Sequence, residues 1–208
     1  MAALRVTSIQ NPFGSPRSVW AAAETLRLLE AMGLLADDET IDRLDAKTLG
    51  RIVDVARDAG IVPTRVIPLR GRWKTDPEQI GLALESVRDA LEESPVPSSE
   101  WRSLTKLFGV DRLAELTGVS RISLRRYASA ERSTPDDVAG RLHFLAKVVG
   151  DLRGAYNDIG VRRWFDRPRT ALDGRPPSAI LKGRWSPDAP DAHAVRQLAR
   201  SLTASAAT

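Results

Sequence analysis

Apolar residues along this chain recur three and four apart through most of its length, the spacing that lines one face of an α-helix. Val19, Ala23, Leu26, Leu29 and Met32 make the first such stripe, opened by Ser15-Pro16 as N-cap and first-turn proline and closed by Gly33. A second helix is predicted from Asp45 to Ala59, burying Leu49, Ile52, Val53 and Ala56, with Gly60 just past its end. A third begins at Asp76-Pro77, carries Ile80, Leu84, Val87 and Leu91 on one face, and ends near Ser94. Between Ile61 and Trp73 the period fails; β-branched residues with Pro63 and Pro68 there predict an extended loop or a short edge hairpin.

Two prolines in four residues, Pro95 and Pro97, remove donors and favour extended backbone, so Ser94 to Ser99 reads as a domain boundary. Helical spacing resumes to about Asp158. The turn signals Arg167-Pro168, Asp173-Gly174 and Pro176-Pro177 then break it, before a last helix over roughly Asp191 to Leu202. The small-residue tail Thr203 to Thr208 is expected to be disordered. The expectation is a mainly α protein: an acidic helical N-terminal domain over 1–94, a helix-turn-helix domain over 95–158, and a small helical C-terminal module over 159–208.

Charge sharpens that division. The formal net charge is +4, but residues 1–100 hold 12 Lys/Arg against 16 Asp/Glu, and residues 101–208 hold 19 against 11. A basic domain beside an acidic one points the former towards a polyanion, since each cation set on a phosphate releases a counterion. An Arg-rich composition without functional meaning is the plain alternative. No cysteine occurs, which removes disulfides and thiolate zinc sites and fits a reducing cytoplasm. No apolar run approaches the roughly 18–20 residues of a membrane span, and Met1 to Gly14 do not resemble a secretory signal, so a soluble cytoplasmic protein is expected.

The most informative segment is Asp111 to Arg132. Leu113 and Leu116 are buried positions of a short helix, Gly118 permits a tight turn, and Val119-Ser120 packs and then caps a second helix. On that second helix Leu124 and Tyr127 share one face, while Arg121, Ile122, Ser123, Arg125 and Arg126 project elsewhere. Between residues 101 and 134 seven basic residues oppose three acidic ones. A helix of this type laid in a major groove would bring arginine to guanine O6 and N7. A helical hairpin with a solvated, Arg-rich face is the alternative.

The run LAELTGVSRISLRRYASAER resembles the helix-turn-helix of Xre-type, λ-repressor-like regulators. The resemblance implies that Arg121, Ile122 and Arg126 face base edges of a double-stranded operator, with Ser120, Arg125 and Arg132 on phosphates, and Ser123 is expected among the operator-binding residues. One departure stands out: Ser129-Ala130-Glu131, where the family more often has a glycine before the basic residue.

Thr134-Pro135-Asp136-Asp137 then predicts another helix start, Thr134 as N-cap, with Val138, Leu142, Leu145 and Val149 buried. Further along, GVRRWFDRPRTALDGRPPSAIL is similar to the toxin-binding domain of the Xre/MbcA/ParS antitoxin family, on Trp164, Pro168, Leu172, Gly174, Arg175 and Pro177. The resemblance implies a cognate RES-type toxin with an ADP-ribosyltransferase-like fold that consumes NAD, blocked by the antitoxin, and repression of the operon encoding both; a homodimer on a palindromic operator is expected from two-fold symmetry. Arg162, Arg163, Trp164, Phe165, Arg167, Arg169 and Arg175 form the expected partner surface, being residue types enriched at interface hot spots. Two alternatives stay open: Trp164 and Leu172 fill a small core, and the arginines are solvated or lie on DNA phosphates.

Catalytic chemistry has no sequence support, and neither a cofactor nor a metal is expected. His143 and His193 read as helix-face residues, and Asp37-Asp38-Glu39 as a favourable helix start. Gly-x-Ser-x-Gly and Gly-x-Gly-x-x-Gly are missing. A solitary regulator without a toxin, and an interaction protein whose helix-turn-helix no longer touches DNA, remain as rival readings.

Overall fold

The computed structural model describes residues 3–37, 39–61 and 76–205. It is mainly helical, and the chain divides into two compact units: Met1–Glu30 with Leu34–Ser94, and Pro95–Thr208 with Ala31–Gly33. None of the described helices is long and apolar enough to cross a membrane.

The first unit is not purely helical. Strand β1 (Ala3–Ile9) pairs in parallel with β2 (Thr40–Leu44), with Leu4 opposite Ile41 and Ile9 opposite Leu44. Parallel neighbours need a crossover, and helix α1 (Pro16–Ala31) supplies it. The expectation of an all-helical N-terminal domain is corrected here. In β2 the buried residues are Ile41 and Leu44, three apart, so the strand lacks the alternation that marks a sheet with one wet face. Asp37-Asp38-Glu39 likewise precedes a strand and not a helix, and Glu39 is gripped by both Nε and Nη2 of Arg51 at 2.9 Å. That contact holds its carboxyl below the ordinary glutamate range. Asp38 and the stretch 62–75, which contains most of the expected loop or hairpin, lie outside the described residues.

Helices form where the spacing placed them. At the start of α1, the Ser18 amide donates to Ser15 Oγ and the Ser15 amide to Ser18 Oγ, satisfying two orphan donors reciprocally. Helix α2 (Ala46–Asp58) is capped by Asp45, which accepts from the Thr48 amide at 2.9 Å, and α3 (Pro77–Glu93) by Asp76. Ile80, Leu84, Val87 and Leu91 are buried as a stripe on α3.

The second unit winds around α7 (Asp136–Leu152), apolar on nearly every side and buried from Val138 to Leu152 except at Gly140 and Lys147. Helices α4 (Pro97–Phe108) and α5 (Val110–Thr117) pack on it, as does the last helix, α10 (Pro190–Ser205). Between α7 and α10 come α8 (Asp158–Asp166), a 3-10 turn at Thr170–Leu172 and the one-turn helix α9 (Pro177–Ile180). Helix α6 (Arg121–Ala128) packs on α4 and α5. Two expectations change. Helix α7 starts one residue later and without a side-chain cap, because the Thr134 hydroxyl instead accepts from Trp101 Nε1 at 2.9 Å. Helix α10 continues to Ser205, so Thr203 to Ser205 are helical backbone and not a loose tail.

Candidate nucleic-acid interface

Helices α5 and α6 are joined by the turn Gly118–Ser120, and the turn is built from both sides. Gly118 takes φ +70°, and a Cβ there would lie 2.4 Å from the Gly183 carbonyl oxygen, so both backbone hand and space require glycine. Ser120 caps α6, its Oγ accepting from the Ser123 amide at 3.1 Å.

The last carbonyls of α5 would be orphans in an isolated helix. Here each finds a donor. Ala114 O accepts from the Val119 amide, and Glu115 O from the Gly183 amide at 2.9 Å. Leu116 O receives Trp185 Nε1 at 2.8 Å, and Thr117 O receives Arg141 Nε at 2.8 Å. Arg141 is buried although charged; its other nitrogens reach Trp185 O at 3.4 Å and Asp137 at 2.8 Å. This ion pair holds the Asp137 carboxyl below the ordinary aspartate range. The Lys182–Trp185 loop and Arg141 thus lock the end of α5, and with it the turn that aims α6.

Helix α6 is fixed from behind by Leu124 and Tyr127, both buried, with Tyr127 stacked on Trp101 at 5.9 Å between ring centroids. Its other face stands in solvent. Ile122 is 65% exposed. Arg125 and Arg126 are exposed, and neither has an ion-pair partner among the described residues. Arg121 is exposed but pairs with Asp111 at 2.6 Å. Ser123 is half-buried and shares a 3.0 Å hydrogen bond with Ser120 Oγ, so both hydroxyls are engaged within the cap. Arg132, exposed, lies over the Tyr127 ring at 5.7 Å. Between them Ala130 has φ +59°, the left-handed conformation glycine adopts freely and alanine does not.

The second expected site is rearranged. Trp164 and Phe165 are buried at 1% and 0% exposure, their rings edge to face at 5.4 Å, with Phe165 against Phe108 at 5.0 Å. The expectation that they form a contact surface is therefore corrected: on α8 they sit beside Val161 on the inward arc and are core. Three arginines are tied down. Arg162 donates to Leu107 O at 3.1 Å, Arg169 covers the Trp164 ring at 5.3 Å, and Arg175 pairs with Asp191 at 2.8 Å, which raises its pKa. Leu172 is buried, and the Gly174 amide closes back on Arg169 O at 3.0 Å, so the Leu-x-Gly-Arg-x-Pro element builds a compact turn. Arg163 and Arg167 remain exposed.

His143 does not lie on a solvated helix face. It is buried, its Nδ1 2.6 Å from Glu100 Oε1, and Glu100 is fully enclosed. His193 is exposed on α10. Among the described residues no cluster of His, Asp and Glu is arranged to hold a metal. The sequence did not point to Arg141 or the Lys182–Trp185 loop, although Asp137 and Arg141 four apart on one helix are a recognisable ion-pair spacing.

Two short helices, α5 and α6, thus meet at a buttressed turn, and the second presents an exposed cationic face. Comparison with protein-family models, with curated proteins and with solved structures finds no match.

Proposed function

We propose that this chain is a helix-turn-helix DNA-binding regulator of the antitoxin kind, with α6 entering the major groove of an operator. One observation carries this reading: Arg121, Ile122, Arg125 and Arg126 stand exposed on a helix whose opposite face is anchored by Leu124 and Tyr127. Arginine on guanine discriminates by about 1–3 kcal/mol per bidentate pair, and Ile122 offers an apolar surface to a thymine methyl. The engaged hydroxyls of Ser120 and Ser123 shift recognition onto the arginines and Ile122. A homodimer would read a palindrome.

The antitoxin part of the reading rests on the resemblance of residues 160–181. Exposed Arg163 and Arg167 are the contact residues it retains, with Trp164 and Phe165 supporting them from below. The DNA reading is tested by selecting from a random duplex library at low salt. Enrichment of one sequence, with binding that weakens as salt rises, is expected; a library that emerges unenriched overturns it. Co-expression with the product of the adjacent gene tests the toxin pairing, which a failure to form a complex or relieve toxicity would remove.

A further inference from the structure

The Lys182–Trp185 loop does more than buttress α5. Its backbone is held on α5 through the Gly183 amide and the Trp185 indole, so the position of Lys182 is set by the fold and not by chance. Lys182 lines a hollow of 380 Å³ together with Asp111, Glu115, Ser120 and Arg121, beside the start of α6. Two carboxylates and two cations meet there, and their pairing decides the local field. Asp111 is neutralised by Arg121 at 2.6 Å, and Glu115 lies 3.9 Å from Arg112. Lys182 is the charge left over: it is exposed and has no carboxylate partner among the described residues.

We infer that Lys182 binds a backbone phosphate of duplex DNA, extending the interface from the helix-turn-helix onto the C-terminal segment. A helix lying in the major groove has a phosphate wall on each side, and the groove is about 12 Å wide. The first turn of such a helix therefore runs close to a phosphodiester, and a lysine across a small hollow from Ser120 and Arg121 meets that wall. A backbone contact of this kind adds affinity without reading sequence. Charge favours a polyanion there: an unpaired ammonium shares the hollow with the start of α6, the helix that further along carries the unpaired Arg125 and Arg126.

This rests on the DNA-binding reading, and the test separates the two. Binding of wild type, Lys182→Ala, Lys182→Gln and Lys182→Arg is measured by fluorescence anisotropy on the selected duplex and on an unrelated one, across a salt series. Loss of one phosphate contact flattens the log–log salt slope by about 0.9 and weakens binding about three- to tenfold at low salt. Lys182→Ala and Lys182→Gln are expected to show both effects equally on the two duplexes, with Lys182→Arg restoring wild-type values and thermal midpoints unchanged. Wild-type affinity and slope in Lys182→Ala overturn this inference alone, as does a loss confined to the selected duplex. A wild type that binds no duplex overturns both.

Discussion

Helices α6 and α8 carry the same tetrapeptide pattern, aliphatic-Arg-Arg-aromatic: Leu124-Arg125-Arg126-Tyr127 in one and Val161-Arg162-Arg163-Trp164 in the other. In both, the aliphatic and the aromatic residue are buried and the two arginines are exposed. The residues flanking the pattern separate the two helices. In α8 Phe165 widens the buried arc and Arg162 is bonded to the α4 carbonyl of Leu107, whereas in α6 the aromatic is succeeded by an exposed Ala128; an exposed isoleucine precedes the pattern in both, Ile122 and Ile159, but only α6 adds an exposed arginine, Arg121, before it. The pattern alone therefore does not make a helix a reader of anything. A narrow anchor, Leu124 and Tyr127, leaves most of the α6 circumference in solvent, which is what the proposed groove contact would need.

Substitutions can break this comparison or sharpen it. The largest effect is expected at the wide anchor: Trp164→Ala removes a fully buried indole and should cost about 3–5 kcal/mol in urea unfolding. Ile122→Ala should stay within about 0.5 kcal/mol of wild type in the same assay, being a surface change. A comparable loss for both would mean that α6 is packed like α8. Gly118→Ala comes next. Left-handed backbone costs alanine about 1–2 kcal/mol, and the collision with Gly183 adds about 1–3 kcal/mol, so a loss of roughly 2–5 kcal/mol is expected in thermal or urea melts.

On binding, Arg126→Ala should lose about 1–3 kcal/mol of discrimination at one base position, measured with single-substitution duplexes, while Arg163→Ala leaves discrimination unchanged. Equal losses in the two variants would dissolve the distinction between the helices. The smallest effect is a gain: Ala130→Gly relieves the positive φ after α6 and should stabilise by about 0.5–1 kcal/mol, net of the extra chain entropy of glycine. A destabilised Ala130→Gly would show that the alanine methyl is used in packing.

The sequence showed the helices best where side chains cap or pack locally. Asp45, Asp76 and Ser120 each accept from an amide two or three residues on, and such contacts are written in neighbouring letters. The parallel strands were hidden because their pairing partners lie 37 residues apart, as Ala3 and Thr40 do, and because Ile41 and Leu44 carry a helical spacing. Trp164 and Phe165 misled for a different reason: aromatic residues beside arginines describe an interface and a small core equally well, and only burial separates the two. The buttress of α5 left the weakest trace. Its bonds end on backbone carbonyls of Glu115, Leu116 and Thr117, and a carbonyl is the same whatever residue bears it.

That buttress reaches into biosynthesis. A nascent chain that has emerged only as far as α6 holds helix-end carbonyls whose donors, Arg141, Gly183 and Trp185, are still inside the ribosome or not yet translated. Until they arrive, the bend between α5 and α6 has no lock. On the proposed reading, competence to engage a duplex would wait until Arg141, Gly183 and Trp185 are in place, and a copy cut short before them would carry the α6 side chains without the lock that aims them.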